Sequence, residues 1–182
     1  MLNKRVNTRK LIFASVCVAI GIALPLAFHS IPQGGKIFLP MHLPVLLCGL
    51  VAGPLWGLGC GVLTPMLSSL FTGMPPAAML PGMLVELSVY GLASGLLANA
   101  LRGKNRLLGL YLPLVAAMLA GRVAGGLVNG FLFQAGAYTV QMWAAASFVT
   151  AVPGIIIQLV AVPALAFALE KAGLVKKLAP YA

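Results

Sequence analysis

Acidic side chains are nearly absent from this sequence. Among 182 residues there are two, Glu86 and Glu170, and charged residues of either sign make up 8% of the chain. A catalytic site built on paired carboxylates needs two acids in one place, whereas Glu170 stands among Lys171, Lys176 and Lys177 near the C-terminal end. No HExxH and no Ser/His/Asp arrangement offers a substitute. Histidine is equally scarce, with His29 and His42 only. The three cysteines, Cys17, Cys48 and Cys60, lie within apolar segments without CxxC or Cys/His spacing. These absences leave no ligand set for a metal and no disulfide framework. A GxxxxGK(S/T) phosphate loop is missing too, so the chain is not itself an ATPase.

What is present is apolar surface. Hydrophobic residues make up 61% of the chain, and the mean hydropathy of +1.05 identifies an integral membrane protein. The net charge of +10 comes from lysines and arginines at the ends of apolar runs, where they set topology. They form no aromatic-interleaved stripe, which argues against nucleic acid as a partner. The N-terminal MLNKRVNTRKLIFASVCVAIGIALPLAF has the length of a full span and no small-x-small cleavage site, so it reads as a retained first helix.

A span takes about 20 apolar residues, and the chain divides into six. They run from about Lys10 to Phe28, Pro40 to Val51, Leu55 to Phe71, Ala77 to Leu101, Leu107 to Phe133, and Phe148 to Leu169. The second is short and starts inside the preceding loop. Breaks fall at HSIPQGG, Gly53-Pro54, TGMPP and the basic RGKNR; a partly amphipathic loop from Gln134 to Gln141, with Tyr138 and Trp143 nearby, precedes the last span. With the N-terminus cytoplasmic, six crossings place Lys4, Arg5, Arg9, Lys10, Arg102, Lys104, Arg106, Lys171, Lys176 and Lys177 inside. Only Lys36 and Arg122 fall elsewhere, as the positive-inside rule demands. The expected architecture is therefore one all-α domain over residues 1–182, a six-helix bundle with both termini cytoplasmic.

Ionisable groups inside a span are expensive and face a partner or a polar cavity. Glu86 lies roughly 13 Å into the fourth span and Arg122 roughly 16 Å into the fifth, both measured from the outer side, so a Glu86–Arg122 contact is expected in the outer half of the bundle. Two readings stay open. The pair is a structural ion pair, or the two face a cavity where Arg122 offers its planar donor fork to a ligand. Asn129 and Gln158 in the outer parts of their helices, with Gln33, His42, Gln134 and Gln141 near the outer loops, favour the cavity. His42, at the start of the second span, reads first as a cap or interfacial group. Trp56 marks an interface; Trp143 marks another or stacks on a flat ligand. Ser15, Ala19 and Ala23, with Ala14 and Gly21 beside them, give the first helix a small-residue surface for close helix approach.

The stretch FLPMHLPVLLCGLVAGPLWGLGCGVLTPMLSSLFTG running into MPPAAMLPGMLVEL, with the basic start and the small-residue first helix, resembles the substrate-binding S components of energy-coupling factor (ECF) transporters over nearly the whole chain. The resemblance implies a high-affinity vitamin-binding protein of the bacterial plasma membrane. Its partners would be a transmembrane coupling subunit and two ATPase subunits that use the ATP; the chain itself needs no cofactor. It further implies that the protein topples in the membrane to release its ligand inside, and that the loop from His29 to Leu39 is a lid. Ser15 and Ala19 match the AxxxA surface that docks on the coupling subunit, whereas Ala14 is followed four residues later by Val18. Arg122, Glu86, Asn129 and Gln158 would line the site, with His42, Gln33 and Trp143 nearer its mouth. The single cavity arginine favours a pantothenate-like acid; folate, riboflavin, pyridoxine or a pyrimidine are the other ligands in view. A small membrane-embedded enzyme and a ligand-free structural subunit are the competing functions.

Overall fold

Six apolar helical stretches long enough to cross a membrane organise the described residues, which in this computed structural model are 4–28, 31–103, 105–130 and 139–175, with side chains from Thr8 onward. His29, Lys104, Phe133, Gln134, Tyr138, Lys176 and Lys177, which the sequence reading puts in loops or at span ends, lie outside them. The elements are α1 (Lys4–Ala27), α2 (Gly34–Phe38), α3 (His42–Ala52), α4 (Pro54–Thr72), α5 (Leu80–Ala100), α6 (Arg106–Val128), α7 (Val140–Ala144), a π-helical turn (Ala145–Thr150) and α8 (Val152–Lys171).

The second span starts inside the preceding loop, as expected, and is broken at Leu39. Counted from Pro40 it has 12 residues, about 18 Å of helix, too little for a bilayer. It reaches back instead through α2, so that Gly34–Ala52 makes one interrupted crossing. Leu39 takes a left-handed conformation (φ 51°) at the break, and Pro40 follows without an N–H to continue the helix. This broken span is also the centre of the bundle: 67% of its residues are buried, against 22–33% in the other five. Spans with so little of their surface inside the protein present the rest to lipid. Leu55, Leu63, Leu70, Phe71, Leu119, Leu127, Ile156 and Val160 are exposed accordingly.

Two devices set the packing around α3. Gly53 (φ 102°) makes the sharp turn that only glycine enters readily, and Pro54 opens α4 with its φ already helical. Beyond that turn α3, α4 and α5 meet backbone to backbone. A Cβ on Gly57 would lie 2.6 Å from the Gly49 Cα and 2.7 Å from the Gly91 carbonyl carbon, an approach that small residues alone permit.

Basic groups collect at one end of the bundle. The Lys10 ammonium approaches the Gly53 turn, and Arg106 pairs with Glu170 at 2.7 Å while lying over the Phe167 ring. The first turns of α1 and α6, the α3–α4 turn and the last turn of α8 are therefore at one membrane face, cytoplasmic by the positive-inside rule. On α1, Ala14, Cys17, Gly21 and Pro25 turn inward at three- and four-residue spacing. Ser15, Ala19 and Ala23 are exposed on the opposite side. Ala14 therefore belongs to the core and not to the outward small-residue surface.

Candidate functional site

Polar side chains from three helices gather at one level in the outer half of the bundle. His42 opens α3, and the short α2 before it carries that position inward from the loop, so that the ring is buried. Its Nε2 lies 3.3 Å from Glu86 Oε1 of α5. One turn further along α5, Tyr90 meets the His42 ring edge to face, with centroids 5.0 Å apart. The Tyr90 hydroxyl lies beside both the Glu86 carboxylate and the Arg122 guanidinium of α6. Glycines make this possible. A Cβ on Gly121 would strike the Tyr90 ring, and one on Gly125 would lie 2.9 Å from the Glu86 Cβ, so α6 seats directly against the Glu86–Tyr90 face of α5.

Gln158 stands on α8, which packs against α2 and α3. One turn before it, Gly154 sits against the backbone of Ile37 and Phe38. Its side chain has 0% exposure.

The expected Glu86–Arg122 pair does not form. The carboxylate is close enough to Arg122 to feel its charge, but its hydrogen-bond partner is His42. The depth argument placed Glu86 and Arg122 at one level correctly and was silent on azimuth, and a histidine at a helix start was read as a cap. Consequently Arg122, only 4% exposed, has Nε and Nη2 without a hydrogen-bond partner. The same is true of His42 Nδ1, the Tyr90 hydroxyl, and both amide atoms of Gln158. Each buried donor or acceptor left in this state costs about 1–3 kcal/mol. A protein keeps such a cluster where something else completes it.

Trp143 and Phe148 cover Arg122 from the α7 side. The indole N–H donates to the Arg122 carbonyl oxygen at 3.1 Å, and Phe148 stands edge-on to Trp143 and 6.0 Å from the guanidinium. Two hollows flank this pair. One of about 320 Å³ lies between Trp143, Thr139 and Val140 and the Val123, Gly126, Leu127 and Gly130 side of α6. The other, about 160 Å³, is lined by Arg122, Met118, Phe148, Ile155 and Leu159 together with Val115 and Leu119; Val115, Leu119, Val123 and Leu127 are exposed, so both open on the outer side of α6. Asn129, partly buried, lies further out, packed on Gly82, and Gln33 is exposed at the start of α2. Of the seven residues read as ligand-lining, the structure thus gathers His42, Glu86, Arg122 and Trp143, buries Gln158 within α8, and leaves Asn129 and Gln33 nearer the surface. Tyr90 was missed, although it stands four residues after Glu86 and so on the same helix face.

Among the described residues no group of histidine, cysteine or acidic side chains has the arrangement of a metal site. No curated protein and no solved structure gives a significant match to the chain. The model of one family, described as ECF transporter, substrate-specific component, matches residues 9–175. Six membrane-spanning helices and a buried, incompletely partnered polar layer are what a membrane-embedded solute receptor requires, and with that match the chain belongs to the ECF transporter substrate-specific components.

Proposed function

We propose that this S component binds a carboxylate-bearing vitamin, with pantothenate favoured, at the His42–Glu86–Tyr90–Arg122 layer, and delivers it to the cytoplasm with a coupling subunit and two ATPases. Family membership supports uptake of a small molecule through an ECF transporter. The choice of ligand class rests on one observation, the pair of buried unpartnered donors on Arg122. Nε–H and Nη2–H lie on the same edge of the guanidinium and point in parallel, the spacing that accepts both oxygens of a carboxylate. Had Glu86 occupied that edge, the layer would have been a closed ion pair. His42 holds Glu86 instead and leaves the fork available.

Size supports the same reading. The hollow at Arg122 is smaller than the roughly 300–1,000 Å³ of small-molecule sites, but the larger hollow adjoins it across Trp143 and Phe148. Displacement of those two rings would join the spaces. Of the segment expected to act as a lid, residues 34–38 form α2 and belong to the second crossing. The exposed Ser15, Ala19 and Ala23 of α1 are the proposed docking surface for the coupling subunit, with Ala14 excluded from it.

Equilibrium binding of a vitamin panel to the purified protein tests the ligand class. Pantothenate is expected to bind, and panthenol, in which a hydroxymethyl group replaces the carboxylate, to bind far more weakly. Equal affinity for the two would end the carboxylate assignment. For the docking surface, Ala19→Leu is expected to abolish co-purification with the coupling subunit while leaving vitamin affinity unchanged.

A further inference from the structure

The members of the polar layer stand inside spans, where an unbalanced charge is costly. Three helices supply the titratable groups there: α3 brings His42, α5 brings Glu86 and Tyr90, and α6 brings Arg122. His42 and Arg122 are buried and the Glu86 side chain is 22% exposed. Among the described residues, the other helices packed on α3 bring no charge to this level. On α4 the titratable group is the Cys60 thiol; α1 carries Cys17 and has its cations in its first turns, and α8 has Glu170 and Lys171 in its last. Cys48 of α3 packs with Cys17 and Cys60, and Lys36 of α2 is exposed.

With a neutral imidazole the layer balances, Glu86 against Arg122. A ligand carboxylate on the Arg122 fork leaves one negative charge in excess. Arg122 has no second state to offer, and Tyr90 can only lose a proton, which would deepen the excess. Histidine is the side chain that ordinarily changes charge near neutrality. Since His42 Nε2 lies 3.3 Å from Glu86 Oε1, one added proton is held by the two together and cancels the excess.

We infer that the His42–Glu86 pair is a proton site that fills as the carboxylate docks, so that each anionic ligand is bound together with one proton. This rests on the proposed docking of a carboxylate at Arg122, and it adds the control of that site by pH. The proton belongs to the pair and not to either residue, as in any closely coupled couple. No contact between His42 and the ligand is required. The coupling runs through charge, which falls off slowly in a protein interior, and both Glu86 and Tyr90 adjoin Arg122. Linkage fixes the sign: a site that takes ligand and proton together loses affinity as pH rises, by up to about tenfold per pH unit, and levels off in acid, where the free pair already holds its proton.

The test titrates the tightest-binding carboxylate of the vitamin panel, with pantothenate expected, into the full-length protein in detergent. Calorimetry in phosphate and in Tris, whose ionisation heats differ, counts the protons drawn from the buffer from about pH 6 to about pH 9, a range in which the ligand carboxylate stays ionised. Uptake is expected to approach about one proton towards the alkaline end, where Kd rises by about tenfold per pH unit. Glu86→Gln removes the charge that creates the excess. It is expected to take up less than about 0.2 proton and to change its Kd by less than about twofold over the same range. The wild-type titration decides by itself if that variant does not fold.

Wild type that binds the acid with no proton uptake and a constant Kd at every pH overturns the proton site, as does Glu86→Gln with undiminished uptake. The role of Arg122 survives both outcomes, provided that pantothenate still binds far more tightly than panthenol. Equal binding of those two, or no binding of any carboxylate, overturns both.

Discussion

The protein holds two arginine–glutamate neighbourhoods, one at each end of the bundle, and they are built oppositely. At the cytoplasmic end Arg106 meets Glu170 at 2.7 Å and lies 4.3 Å over the Phe167 ring, with the two charged side chains 62% and 46% exposed. That guanidinium has a carboxylate and a ring for partners, in a place where water would have served. In the outer half Arg122 is buried, and its nearest carboxylate is held by a histidine. The partnered arginine is the one that needs a partner least. An exposed ion pair contributes about 0–1 kcal/mol, whereas the outer arginine keeps two buried donors without a partner.

Breaking the outer neighbourhood is expected to give the largest effect. Arg122→Ala should lower vitamin affinity by on the order of a hundredfold, about 2.7 kcal/mol, measured calorimetrically, with insertion and monodispersity retained. Arg106→Ala under the same conditions should leave affinity unchanged; equal losses in the two variants would erase the distinction between the ends.

Glu86→Gln sharpens the comparison from the other side. The amide can still accept from His42, but the charge assistance is gone and Arg122 has lost a nearby counter-charge. Thermal unfolding in detergent is expected to show a loss of about 1–3 kcal/mol, while Glu170→Gln should stay within about 0.5 kcal/mol of wild type.

A smaller effect is expected at Gly126, where an added methyl would meet the Trp143 indole nitrogen. Gly126→Ala should detach the indole from the Arg122 carbonyl and move Trp143 towards solvent, seen as a red shift in its fluorescence, with vitamin affinity reduced by about threefold to tenfold. An unchanged spectrum would mean that the ring is not held by that hydrogen bond.

The six spans were legible because hydropathy and the positive-inside rule are properties of whole segments, which tolerate errors of a few residues. The start of the second span inside the preceding loop was legible too, from the shortage of length after Pro40, but the break itself was not, because nothing in the identity of Leu39 announces a left-handed residue. That miss carried into the site. Reading His42 as a cap followed from placing it at the rim, whereas α2 carries the start of α3 into the bundle and gives Glu86 a different partner. Arg122, Glu86 and Gln158 were found because polar groups inside spans stand out against apolar neighbours. Asn129 and Gln33 stood out in the same way, and composition does not tell a polar group facing inward from one facing the surface.

The meeting of Gly49, Gly57 and Gly91 reaches further than packing. Gly91 follows Tyr90 directly, and Gly49 lies two turns along α3 from His42. Any thickening there would act as a wedge at the foot of two levers and splay the histidine and the tyrosine apart at their tips. The spacing of His42 and Tyr90 is thus set, in part, by residues that have no side chain of their own.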